Sequence, residues 1–210
     1  MAVIATSSVM VFLRIDALKL NLSEMGSHAG RVVDQVIPLT GLIAGLRLEV
    51  AQVQQFLSDI SATRGQDGLA DGLKEAAEHA EKFHENLEAA VKTARALGMD
   101  TIVRGLDEVG KNFGPFYAVG QRMAHAYMEG GASVGNAMMP EVDKVADALD
   151  KELKGLIKDT DRASKSQLQA LTTLIADIQA DSSVVKSIST IASAIVTAIA
   201  IGFILFLMSG

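Results

Sequence analysis

The chain has 210 residues, with no Cys and no Trp, only three Pro, and a formal net charge of −6. Without Cys there is no disulfide framework, no CxxC redox pair and no thiolate metal site. The acidic balance shows no basic patch of the kind a nucleic-acid binder presents, and aromatics at 4% with abundant Ala, Leu, Val and Ile suit helical packing better than strands.

In chain order the first element is an apolar stretch at residues 1–13, holding AVIATSSVMVFL. It is too short to cross a bilayer alone and lacks the basic start of a signal peptide. We read it as part of a first transmembrane helix, because the helical pattern runs straight on through Arg14.

The next segment carries a heptad stripe: Leu18, Leu22, Met25, Ala29, Val32, Val36, Leu39, Ile43, Leu46, Val50, Val53, Leu57 and Ile60 alternate steps of four and three. A stripe with that period predicts a long helix packed along a left-handed seam. Pro38 sits beside the stripe and predicts a kink. Gly65 and Gly68 predict the stop.

A second segment repeats the spacing with Leu69, Leu73, Ala76, Ala80, Phe83, Leu87, Ala90, Ala94 and Leu97, capped by Asp67 and closed by Gly98. A third, with Asp100 as its expected cap, carries Ile102, Leu106, Val109, Phe113, Phe116, Gly120, Met123 and Tyr127 and ends at Gly130 and Gly131. A fourth begins near Asn136 with Met138, Val142, Val145, Leu149, Leu153 and Leu156. It continues through Leu171, Leu174, Ile178, Val185 and Ile188, with Gln167 and Asp181 interrupting. Residues 187–210 then hold no charge, enough for a second membrane span of roughly 20 apolar residues. The run stops just after Met208, so we expect the chain to be the front of a longer membrane protein.

The outer segments reach about 50 residues outside the membrane and the inner two about 30, or ~75 and ~45 Å. Short turns make consecutive helices antiparallel. The expected fold is all-α: an antiparallel up-down four-helix bundle over residues 14–186, its long first and last helices continuing into membrane spans at 1–13 and 187–210. The stretches 14–34 and 166–186 form a two-helix stalk, and a second copy of the chain would supply its missing apolar contact. A long acidic insert between spans fits the extracytoplasmic side.

No catalytic grouping emerges. The four His are spread over the chain, and His79 and His84 face directions about 140° apart, so no metal site is expected and the His are read as solvated flanking residues. GLIAGL and GGASVG follow no strand and fail as phosphate loops. Glu75, Glu78, Glu81, Glu85 and Glu88, mixed with Lys74, Lys82 and Lys92, read as a solvated face. The candidates for ligand contact are Arg47, Gln54 and Ser58: Arg47, Gln54 and Ser61 stack at heptad spacing beside the first seam, Ser58 joins them one turn from Gln54, and a guanidinium there can grip a carboxylate. Tyr117 and Tyr127 join them, flanking Gly120, which leaves either a small apolar pocket or a close approach of helices. No cofactor is expected.

The layout of span, long helix, two shorter helices, long helix and span, with residues 50–69 (VAQVQQFLSDISATRGQDGL) and 117–139 (YAVGQRMAHAYMEGGASVGNAMM), resembles the input region of bacterial methyl-accepting chemotaxis receptors. The resemblance implies a non-enzymatic, multi-pass protein of the bacterial inner membrane, with its helical domain in the periplasm. It also implies a homodimer that senses a small molecule or a ligand-loaded binding protein and signals through its last helix. A sensor histidine kinase input domain or a membrane-anchored coiled-coil scaffold would share much of this pattern.

Overall fold

The computed structural model describes the backbone of residues 2–66 and 71–208, and the side chains of 13, 15–66, 71–180, 182 and 186. The side chains of both apolar end runs (1–12 and 187–210), the Asp67 cap, Gly68, Leu69, Asp181 and the seam positions Val185 and Ile188 lie outside the described residues. Helix α1 (Ala2–Arg31) passes through a π-helical turn (Val32–Val36) into α2 (Ile37–Thr63). Then come α3 (Gly72–Ala96), α4 (Asp100–Asn136) and α5 (Met139–Met208), with no strand among the described residues. The chain divides into two compact units, Val33–Lys165 and the described parts of Met1–Val32 with Ser166–Gly210.

The first unit is an up-down helical bundle. Gly45 faces Asn86 and Gly72 faces Ile60, so α2 and α3 run in opposite directions. Phe83 stacks on Phe113 and Gly110 meets Leu87, which sets α3 against α4 the same way. Gly105 meets Leu156 and Arg122 pairs with Glu141, making α4 and α5 antiparallel. The periodic apolar positions are the ones that go inside. Leu39, Ile43, Leu46, Val53, Leu57 and Ile60 of α2 join Phe83, Leu106, Phe113, Phe116, Leu149 and Leu153 in one core. Each such side chain contributes about 1.5–3 kcal/mol of apolar burial. Every position of the α4 stripe from Ile102 to Tyr127 is buried.

Helix ends follow from backbone chemistry, with three departures from expectation. Arg64 itself adopts the left-handed conformation that ends α2 (φ 54°), donating its N–H to the Ile60 carbonyl at 2.8 Å, and Gly65 follows at φ 62°. Gly98 (φ 66°) closes α3 as expected. Asp100 does not cap α4: Met99 occupies the cap position without a side-chain bond, and Asp100 lies in the first turn, where its charge favours the helix dipole. Gly131 (φ 68°, ψ −167°) breaks α4, so Ala132–Asn136 is a separate turn folded back on Tyr127, and α5 starts at Met139 rather than near Asn136.

Pro38 produces a π turn. Its missing N–H and its ring conflict with the carbonyl four residues earlier, that of Asp34. The backbone widens over Val32–Val36, which contains Asp34, and the helix continues.

The second unit buries less. Of its described side chains, Val32 and Ile178 are buried, Leu18, Met25, Ala29, Leu171 and Leu174 are half-buried, and Leu20, Leu22 and Leu168 are exposed. Among the described residues one helix, Ile15–Thr63, is long and apolar enough to cross a membrane by length and composition. It also holds Asp34, Arg47 and Glu49, and its seam positions Leu39, Ile43, Leu46, Val53, Leu57 and Ile60 are buried against other helices, as in a bundle core.

Candidate ligand-binding site

Arg47 lines a cleft of about 330 Å³ between α2 and α5. Thr40, Ile43 and Ala44 complete the α2 wall, and Ile157, Thr160 and Asp161 form the α5 wall. These residues meet because the two helices are antiparallel here: Thr40 Oγ1 lies 3.4 Å from Ser164 Oγ, which sets the register. Thr160 is 2% exposed, and its hydroxyl donates to the Leu156 carbonyl at 2.8 Å. Thr40 does the same to Val36 at 3.0 Å. Both hydroxyls are therefore held, and both keep acceptor capacity. The floor is apolar and the mouth carries one cation and one anion. Arg47 and Asp161 form no ion pair with each other, nor with any other described residue; the neighbouring Arg162 pairs with Asp159 at 3.4 Å. The volume lies at the lower end of small-molecule sites.

The other candidates do not join this cleft. Gln54 and Ser58 are exposed on α2, above it. Tyr117 is half-buried in an aromatic stack, its ring 6.1 Å from Phe113 and nearly parallel. Burial raises its hydroxyl above the usual 10.0, against the opposing effect of a hydrogen bond with Gln121. Tyr127 is buried, donates its hydroxyl to Asn136 Oδ1, and covers Gly135 with its ring. Gly120 opens no pocket. A Cβ there would stand 2.6 Å from Leu57 Cδ1, so the glycine lets α2 and α4 approach closely.

Sequence reading missed a polar pair in the bundle. Glu49 is only 8% exposed, and its Oε2 lies 2.6 Å from Nδ1 of His79 on α3. The imidazole stacks on Phe56 at 5.4 Å. His79 is thus a packed residue, not a solvated one, while His84 is exposed yet sets its edge against Phe83 and Phe113. A signal existed: Leu42, Glu49 and Phe56 are spaced by seven, so a carboxylate sits in an otherwise apolar column facing α3. The pair is satisfied, and no buried side-chain polar atom among the described residues lacks a partner.

A second cavity, about 390 Å³, lies where α2 meets α3 and is edged by Phe56, Asp59, Asp71 and Glu75. No group of three or more His, Asp or Glu able to hold a metal occurs among the described residues. No protein-family model, curated protein or solved structure matches the chain.

Proposed function

We propose that this chain is the input region of a transmembrane receptor, binding a small molecule in the α2–α5 cleft and passing the signal along α5 to a cytoplasmic module of the chemotaxis type. The observation that carries the reading is the continuity of α5. One helix, Met139–Met208, holds the cleft residues Ile157, Thr160 and Asp161 and runs on into the uncharged stretch 187–210. A helix without a break transmits displacement along its axis, because each turn is bonded to the next.

A second copy of the chain is the partner we propose beside membrane lipid. Ile37, Gly41, Ala44, Leu48 and Ala51 form a heptad stripe on the solvent face of α2, Val33 extends it into the π turn, and all six are exposed. Val33, Ile37 and Leu48 are about 60% exposed, which is costly unless another surface covers them. The proposed location is the bacterial inner membrane, with Val33–Lys165 in the periplasm. A sensor kinase would use the same input, and the output module distinguishes the two.

Orientation tests the reading directly. The chain has no Cys, so single cysteines introduced at exposed Lys74 and Lys151 are its only thiols. Both should react with a membrane-impermeant maleimide in cells whose outer membrane is permeabilised and whose inner membrane is intact. Labelling only after the inner membrane is lysed would overturn the receptor reading.

A further inference from the structure

We infer that the α2–α5 cleft selects a zwitterion whose charges are separated by a short methylene chain, an ω-amino acid rather than an α-amino acid or a dicarboxylate. The inference rests on the sensory reading above and deepens it. Arg47 and Asp161 line the same cleft, carry opposite charge, and are both without an ion-pair partner among the described residues. Each therefore remains available to a ligand. A bare dicarboxylate would meet Asp161, and a diamine would meet Arg47; a ligand with one charge of each sign satisfies both.

The register sets how far apart the two positions lie along the helix axes. Thr40 opposite Ser164 places Asp161 level with Ile43, four residues along the axis from Arg47. Four residues are about 6 Å of helix. An α-amino acid holds its ammonium and carboxylate too close together to span that offset, whereas about three or four methylenes cover it. Between the two charges lie Ile43, Ala44, Thr160 and Ile157, a mostly apolar strip suited to methylenes, its one buried hydroxyl already donating to the Leu156 carbonyl. Arg47 then holds the carboxylate through its planar fork, and Asp161 accepts from the ammonium.

Isothermal titration of the full chain in lipid nanodiscs tests this, with 4-aminobutyrate as probe and its isomer 2-aminobutyrate, butyrate and butylamine as controls. 4-Aminobutyrate should bind saturably and at least about tenfold tighter than each control. Arg47→Gln and Asp161→Asn should each weaken it about tenfold or more, a charge-assisted contact being lost in each case. Butyrate should respond to the first substitution alone and butylamine to the second alone. Both positions are at the surface, and unchanged helical circular dichroism verifies the fold of each variant. No saturable binding of 4-aminobutyrate, equal binding of the two isomers, or unchanged binding in both variants would overturn the inference. Charge-dependent binding without any effect on a fused output module would overturn the receptor reading and leave the inference standing. A gated output that responds to another class of ligand, with no zwitterion bound, would do the reverse.

Discussion

The Glu49 carboxylate lies 2.6 Å from His79 Nδ1, inside an otherwise apolar contact between α2 and α3. Their side chains are 11% and 18% exposed, so each is the other's main source of polar compensation. Removing one partner strands the other in a poorly solvated place, and the penalty falls on the group left behind. His79→Ala should therefore lower stability by about 1–3 kcal/mol, and Glu49→Leu/His79→Leu should recover most of that loss. Urea unfolding of the three proteins decides the matter. A double variant no more stable than His79→Ala would mean that the pair is not coupled.

Gly120 and Leu57 set how closely α2 approaches α4. An added methyl would stand 2.6 Å from Leu57 Cδ1, well inside van der Waals contact. Gly120→Ala should cost about 1–3 kcal/mol through overpacking. Combining it with Leu57→Ala should cost less than the sum of the two, because the second change vacates the space the first needs. Thermal unfolding midpoints of the four proteins measure the coupling, which vanishes if the helices can part freely.

Pro115 lies inside α4, exposed, and its ring cannot donate to the Lys111 carbonyl one turn earlier. A helix-interior proline costs up to about 3 kcal/mol relative to alanine. Pro115→Ala restores the bond without removing a core contact and should raise stability by about 1–2 kcal/mol. A lower midpoint in guanidinium would instead mean that the surrounding packing depends on the proline's local bend.

Tyr117 titrates above the ordinary 10.0 because burial disfavours its anion. In Tyr127→Phe it is the only tyrosine, and its absorbance near 295 nm should rise with a midpoint above 10.0. The folded state then holds this proton more tightly than the unfolded chain. Its contribution to stability is therefore complete below pH 10 and is lost as pH climbs through the folded value. A midpoint at 10.0 in the folded protein would show that the ring is solvated.

Much of the bundle is legible in the sequence because helical period is a local property. Once Leu39, Ile43, Leu46, Val53, Leu57 and Ile60 recur at three and four, one side of the helix is apolar whatever it packs against, and those positions are buried. The same holds for Ile102 through Tyr127 on α4. The period does not say how wide the buried stripe is. Val50 was expected inside and is only half-buried, while its neighbour Glu49 is enclosed, since α2 meets α3 as well as α4 and α5. Capping shows a similar limit: Asp100 has the right chemistry, but a cap also needs the right backbone, and that fell to Met99.

Composition and spacing alone determined the all-α class, the seams and the glycine at the end of α3, because each depends on residues within a few turns of one another. Only the tertiary structure decided that Arg47 shares a cleft with Thr160 and Asp161, that Gly120 is a contact rather than a pocket, and that His79 is held by Glu49. Those outcomes depend on how one helix slides against another. Sliding is set by the summed packing of many side chains distant in the chain, which no local period encodes.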